Sequence, residues 1–525
     1  MRHFDEHKIL IDDTSRPRHW CLSAAYRVAF ALLLVSVVGC GDDGGASGGA
    51  ATSGTIPKPA AAVPQREDQR PTIILVVLDT TRADSVSAYG EVEGTTPNVD
   101  ALASTGTRFE YAYAPSPWTV SSHASLFSGL RVDEHGVGLD GIYRAPDEIP
   151  MLAEGLRAAG YETAGFAENP LVSSEFGLAQ GFDHYEVPKL SDSVKNALSG
   201  DLTYEWFDLP RRVAAWQKTR DHSKPAFVFV NIMEAHDPYI VRPTNPWVSS
   251  ETSRQELDAV VKRHPISNAI CRRAPSRADT ELLSGLYLGN VHSADAKLGK
   301  VLAALESNSA GEPRITIVTS DHGEHLGEHD LMGHRFSTRT PALHIPLVVN
   351  GAPDLALGRV SAAVELRSLY ASILCWGGLE ECDASIVQAS QGQSEDPIFS
   401  IWSDRSIEFV EPIRRELGIS DDVSIVDPSR EGCQADDPVF GELVSLIRFP
   451  YKVHWSGGQV QGLFDLSWDP LEKSNQLSAA KGRASPLVAE LEAFVAENVL
   501  NRQEVRPTDL SEDALRTLKA LGYVE

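Results

Sequence analysis

Basic charge is scarce in this 525-residue chain: 47 Lys and Arg stand against 73 Asp and Glu, giving a formal net charge of -26 at pH 7. A surface that tracks a phosphate backbone needs a basic excess to displace counterions, so nucleic acid is excluded as a partner class. An anionic substrate must then be held by a local cationic site, and a bound divalent metal would supply one. Cysteine is sparse as well. The six are Cys21, Cys40, Cys271, Cys375, Cys382 and Cys433, and none forms a CxxC pair, so nothing supports a zinc ribbon or a thioredoxin-like motif. There is no internal repeat, and no long apolar run follows residue 38.

What the first forty residues do contain is a targeting pattern. Arg16, Arg18 and Arg27 precede an apolar run from Val28 to Val38 that is too short to span a bilayer comfortably, and Gly39-Cys40 follows. Residues 1–40 therefore read as a signal peptide. Val37-Val38-Gly39-Cys40 resembles a bacterial lipobox, in which cleavage leaves Cys40 as a lipidated N-terminus. The expectation is an exported protein, in the bacterial periplasm or at the cell surface, tethered to the membrane through a lipid on Cys40. An uncleaved anchor would also place the remainder outside the cytoplasm. In that setting one or two disulfides are expected among the later cysteines, with Cys375 and Cys382 closest in sequence. Residues 41–70 are rich in Gly, Ala, Ser and Pro and offer almost nothing to bury, which describes a flexible linker.

The folded part is expected to begin at Thr72–Leu78, a continuous β-branched run typical of a strand covered on both faces. The same grammar recurs at Ala226–Val230, which ends in Asn231, and at Ile315–Thr319, which ends in Ser320-Asp321-His322; Pro346–Val349 is a further candidate. Helical patterns lie between them at Asn98–Thr105, Met151–Ala159 and Leu282–Leu305. Alternation of this kind predicts an α/β fold of three layers, α/β/α, around a large mostly parallel sheet. Residues 71–394 are assigned to this domain. From 395 to 525 shorter segments (Ile398–Trp402, Val444–Arg448, Tyr451–Trp455, Gly462–Leu466) predict a smaller subdomain with a short antiparallel sheet, followed by helices at Pro486–Val499 and Leu510–Leu521.

In parallel sheets chemistry gathers beyond the carboxyl ends of the strands. Asp79, the region of His236, and Asp321-His322 all occupy such exits. An acidic residue beside a histidine offers two metal ligands of different hardness. The stretch Ser116–Leu126 is a small-residue loop running into a helix, whose N-terminus would present backbone N–H groups to an anion. His325-Leu326-Gly327-Glu328-His329 matches the HxxEH pattern of one metalloprotease class, but that motif needs a regular helix and Gly323 and Gly327 argue against one. His135 is expected to be structural, in a turn after the helix.

Taken in order, these pieces resemble the sulfatase family of the alkaline phosphatase superfamily. The matching segments are Leu75–Asp84 (LVVLDTTRAD), Thr96–Ala103, the loop at Thr119, Leu126–Gly129 through His135–Val137, Glu234–Tyr239, Asp321–His334, Leu463–Leu466 with Asp469-Pro470, and the ending Leu518–Val524. The resemblance implies that Asp79, Asp321, His322 and the Thr119 hydroxyl surround one divalent metal ion. It places Thr119 at the nucleophile position and His236 and His334 against the transferred group or its leaving oxygen. His123 stands where an arginine usually follows the nucleophile and joins the implied catalytic group. Asn169 replaces the charged Gly-Lys-Trp-His stretch, for this chain reads Gly165-Phe166-Ala167-Glu168-Asn169, and is expected to contact substrate.

Three departures bear on the substrate. Sulfatases oxidise a cysteine or serine to formylglycine, which threonine cannot become. The lysine and histidine near Asn169 are missing, and the tandem aspartates after the first strand are reduced to Asp79-Thr80, a set that suits manganese or zinc better than calcium. Thr119 instead matches superfamily branches that form a phosphothreonine intermediate. The implied activity is hydrolysis of phosphate monoesters, diesters or related esters carried by a small molecule, a glycan or a lipid, with sulfuric ester hydrolysis and a catalytically lapsed surface binding protein as alternatives. Variable loops at Val187–Leu209 and Pro243–Asp279 are the expected substrate readers.

Overall fold

A computed structural model describes residues 70–139, 144–189, 204–263, 275–307, 311–379, 386–392, 396–403, 441–479 and 481–500. The signal segment, Cys40, nearly all of the linker, Cys271, Cys382, Cys433, parts of the two variable loops and the segment Leu510–Val524 lie outside the described residues. Cys375 is disulfide-bonded. No described helix is long and apolar enough to cross a membrane.

In chain order the strands are β1 Thr72–Leu78, β2 Thr107–Tyr113, β3 Glu162–Ala167, β4 His184–Glu186, β5 Ala226–Ile232, β6 Arg314–Thr319, β7 His325–Leu326, β8 Met332–Gly333, β9 His344–Ile345, β10 Leu347–Asn350, β11 Gly358–Glu365, β12 Ile398–Ser403, β13 Glu442–Arg448, β14 Tyr451–Ser456 and β15 Gln459–Asp465. Nine of them form one sheet in the order β11-β2-β10-β6-β1-β5-β3-β4, with β9 paired to β2. Strand β1 is central and runs parallel to both β5 and β6. The expected strand at Pro346–Val349 is β10, which runs against its neighbours β6 and β2.

All seven residues of β1 are buried because both faces are covered. Side chains alternate across a strand. Ile73, Leu75 and Val77 accordingly enter a core with Phe127, Leu156 and Ile373, from the helices Thr119–Ser128, Leu152–Ala158 and Ser368–Trp376. Ile74, Val76 and Leu78 enter a second core with Val99, Val213 and Leu298, from the helices Pro97–Thr105, Leu209–Thr219 and Arg277–Glu306. This is the three-layer arrangement that the sequence predicts.

The smaller sheet is antiparallel in the order β12-β13-β14-β15. The helix Lys481–Phe494 packs on it through Leu491 and Phe494, whose ring stacks on Phe399 at 3.7 Å. Backbone and side-chain hydrogen bonds tie β12 to the segment after β2: Ile401 N donates to Pro115 O and Ser400 Oγ to Ala114 O.

Parallel pairing sets the level at which each strand stops. Val77 lies opposite Asn231 of β5 and Thr319 of β6. The residues that follow, Asp79 after β1 and Ser320-Asp321-His322 after β6, therefore emerge side by side on one edge of the sheet.

Candidate active site

Asp79 is fully buried, and its Oδ2 accepts hydrogen bonds from Asn169 Nδ2 at 2.9 Å and Asn231 Nδ2 at 3.0 Å. Asp321 is equally buried. Its Oδ1 accepts from the backbone N–H groups of Thr80 at 3.1 Å and His322 at 3.0 Å. The remaining oxygens, Asp79 Oδ1 and Asp321 Oδ2, accept no hydrogen bond. Burial pushes both carboxyls up, Asp321 to about 6, and the neighbouring Asp321 charge adds to the rise at Asp79.

His322 donates its Nδ1–H to Gly323 O at 3.0 Å, which leaves Nε2 as the lone-pair nitrogen. That nitrogen lies 3.4 Å from Asp321 Oδ2 and 3.4 Å from Thr119 Oγ1. Burial holds the ring at about 4, so it is neutral near pH 7. The turn after His322 admits only glycine, since a Cβ at Gly323 would sit 2.2 Å from Pro341 O. Asp79, Asp321 and His322 present ligand atoms that all lie within 4.8 Å of one another. An unsatisfied buried carboxylate oxygen costs at least ~1–3 kcal/mol, so two of them beside a lone-pair imidazole nitrogen form a donor set that fits a divalent cation.

Thr119 opens the helix Thr119–Ser128 and is fully buried beneath this edge. Ser122, one turn on, donates its Oγ–H to Asp321 O at 2.7 Å and pins the helix to the exit of β6. His123 donates Nδ1–H to Thr119 O at 2.8 Å, and the same nitrogen is 3.7 Å from Asp321 Oδ2. Its ring packs edge-on against Phe127 and Phe229, its Nε2 accepts no hydrogen bond, and burial keeps it below the usual imidazole range. It is thus a neutral imidazole where the resemblance led one to look for a permanent cation.

His334 is fully buried, donates Nδ1–H to Pro117 O at 2.7 Å, and stacks on His322 with ring centroids 4.3 Å apart. His236 follows β5, and its ring lies 5.5 Å from that of His334. The structure therefore brings Asp79, Thr119, His123, His236, Asp321, His322 and His334 into one cluster. Asn169 joins it differently from the expectation of substrate contact. Its amide donates to Asp79 Oδ2, and its carbonyl oxygen accepts from Leu171 N at 3.0 Å, so both polar ends already orient protein groups.

Sequence reasoning passed over Asn231, whose Nδ2 holds Asp79 and whose Oδ1 accepts from Asn169 N at 3.1 Å. A polar residue within the last two positions of a buried strand was the available signal. His135 is a fixed neutral ring: Nδ1 accepts from Val137 N at 3.0 Å, and Nε2 lies 2.8 Å from Ser125 Oγ. The segment His325–His329 is not one regular α-helix. It runs from β7 through Gly327 at φ +107° into a short 3-10 turn at Glu328–Asp330 in which His329 has φ +59°, and the Asp/His metal cluster among the described residues does not include its histidines.

Comparison with known proteins settles the family. The sulfatase family model matches residues 71–379, well over half of the chain. The protein belongs to the sulfatase family. A sulfatase of Formosa agariphila is 24% identical over 364 residues, covering 60% of this chain and 71% of its own. The N-acetylglucosamine-6-O-sulfatase of Bacteroides thetaiotaomicron is 23% identical over 418 residues, covering 65% and 73%. The crystal structure of the phosphonate monoester hydrolase of Agrobacterium radiobacter superposes with a TM-score of 0.60 at 20% identity, covering 84% of this chain and 98% of that one. This sulfatase-family chain is an ester hydrolase with an Asp/His cluster that could hold a metal ion.

Proposed function

We propose that this sulfatase-family chain is an exported, metal-dependent hydrolase of phosphate monoesters, diesters or related esters, with Thr119 as nucleophile. One observation carries the reading: the Thr119 hydroxyl stands 3.4 Å from His322 Nε2, beside two buried carboxylate oxygens that accept no hydrogen bond. Asp79, Asp321, His322 and Thr119 would hold the cation, manganese or zinc rather than calcium because one donor is an imidazole nitrogen. When bound, it lowers the pKa of the adjacent hydroxyl and offsets charge on the attacked group.

The protein's own groups then account for the steps. Thr119 Oγ attacks in line, passing its proton to the lone-pair nitrogen of His236 or His334 and forming a Thr119 O–P bond as the bond to the leaving oxygen breaks. The same imidazole, one of the two flanking the cluster, then gives that proton to the leaving oxygen. Water next attacks phosphorus and releases the Thr119 hydroxyl. Asn169 and Asn231 keep Asp79 turned toward the cation, and the N-terminal N–H groups of the helix at Thr119 face the developing negative charge. The ester is carried by a small molecule, a glycan or a lipid, and the chain is held at the outer face of a bacterial membrane by a lipid on Cys40.

Sulfuric ester hydrolysis is the second reading, favoured by the names of relatives such as the N-acetylglucosamine-6-O-sulfatase. Threonine speaks against it, since it cannot become formylglycine. Turnover of aryl phosphate, aryl phosphodiester, phosphonate monoester and aryl sulfate should be compared side by side with added manganese or zinc. Phosphorus esters should react faster. Fast sulfate turnover with negligible phosphorus turnover would reverse the preference, and a trapped adduct mapping to a residue other than Thr119 would refute the nucleophile.

A further inference from the structure

The segment that carries His334 does not stand alone. It is gripped on both sides of that residue by the smaller sheet and the turn that follows it. Before it, His329 Nε2 donates to Leu471 O at 2.8 Å. Beyond it, Phe336 packs edge-on against Trp402 of β12 at 5.4 Å, and Thr338 Oγ1 lies 3.3 Å from His454 Nδ1 of β14. Arg339 Nη1 approaches Glu472 Oε2 at 3.4 Å, and its guanidinium lies over the ring of Phe464.

At the centre of the grip is Glu472, whose carboxylate is fully buried. Oε1 accepts from Lys452 Nζ at 2.9 Å, Thr340 N at 2.7 Å and Thr340 Oγ1 at 2.6 Å, and Oε2 accepts from His454 Nε2. The turn that presents it is itself over-determined. Asp469 caps it by accepting from Lys473 N at 2.9 Å and Ser474 N at 2.8 Å, and Glu472 is held at φ +54°, a left-handed conformation that non-glycine residues rarely adopt. Strain of this kind persists only where the surroundings enforce it, and it clusters at functional positions.

We infer that Glu472, together with Lys452 and His454, is a positioning device for His334: the smaller sheet sets the loop that places this imidazole against the leaving oxygen. The inference rests on the role given to His334 above. Nothing in the cluster touches the Thr119 hydroxyl or the Asp79–Asp321–His322 donors, so its effect travels through the loop from 329 to 340.

Leaving-group dependence tests it, because loss of an aligned proton donor harms poor leaving groups most. The enzyme, His334→Ala, Glu472→Gln and the double variant are each assayed on 4-nitrophenyl and alkyl phosphates, with the metal-loaded fraction measured. His334→Ala should lose far more on the alkyl ester. Glu472→Gln should lose in the same direction, at least about tenfold more on the alkyl than on the aryl ester, against the ~10²–10⁴-fold that a general acid contributes. The double variant should add nothing to His334→Ala. Equal losses on both esters, or losses that multiply in the double variant, would reduce Glu472 to a structural residue and overturn the inference. If Glu472→Gln does not fold, Thr340→Val removes one of the bonds and keeps every charge, and the same ratio is read from it. A flat dependence in His334→Ala would remove the role of His334 itself, and the positioning role with it. A selective loss in His334→Ala alone removes only the positioning role.

Discussion

Among the ionisable side chains sealed inside this protein, two groups meet the cost of burial in opposite ways: Asp79–Asp321–His322 at the exits of β1 and β6, and Lys452–Glu472–His454 between β14 and the loop after β8. In the second group every carboxylate oxygen has a protein partner. Burial alone would raise the Glu472 carboxyl, yet Lys452 and then His454 hold it well below the usual carboxylate range. In the first group two carboxylate oxygens face no donor, and burial raises both acids instead. A cluster whose charges balance internally is a fastening. A cluster that leaves two carboxylate oxygens without a donor fits a balancing charge brought from outside the chain.

Substitutions should separate the two kinds of cluster, beginning with the largest effect. Thr119→Ala should lower turnover by on the order of 10³-fold or more while leaving the metal-free thermal midpoint nearly unchanged and keeping a smaller rise on adding manganese or zinc, since three of the four donors remain. A variant that loses turnover and the metal-dependent rise together would make Thr119 a ligand first and a nucleophile second. Lys452→Met should do the reverse, destabilising the fold by about 3–5 kcal/mol because it leaves Glu472 buried without its ammonium partner. Denaturant melts without added metal would check this, and a cost under about 1 kcal/mol would mean that the cluster relaxes or admits water.

Asn169→Ala should weaken metal binding by about 10–100-fold, as expected for loss of a group that orients a ligand. Titration calorimetry would measure it; a raised KM at unchanged metal affinity would instead return Asn169 to the substrate. The smallest effect concerns pH. Only the ionised carboxylate binds a cation, and in the metal-free chain Asp321 is raised to about 6. Burial raises Asp79 as well, so affinity should fall by at least about tenfold per unit below pH 6. His322, held near 4, contributes no proton competition in that window. Affinity independent of pH between 7 and 5 would remove Asp321 from the ligand set.

The elements legible in the sequence were those in which a single local property dominates. Thr72–Leu78, Ala226–Val230 and Ile315–Thr319 are apolar on both faces and became β1, β5 and β6 at the heart of the sheet. Strands β2 and β11 were not foreseen, because Thr107–Tyr113 mixes Arg108 and Glu110 into its run and Gly358–Glu365 exposes one side at the sheet edge. Glu110 pairs with Arg108 along its own strand and with Arg359 across on β11, and the second is a match that only register creates. The helix Arg277–Glu306 extended the pattern read at Leu282–Leu305 by a turn, with Ser276 as its cap.

The sequence by itself determined the α/β fold, the strand exits bearing Asp79 and Asp321-His322, and a threonine at the start of a helix, because each is written in consecutive residues whose burial or spacing is a local property. Only the tertiary structure decided which oxygens accept no hydrogen bond, that Asn169 and Asn231 both turn toward Asp79, and that Glu472 reaches across 132 positions to grip Thr340. Hydrogen-bond satisfaction is a sum over neighbours in space, and no reading along the chain can say which partners remain once the layers have packed.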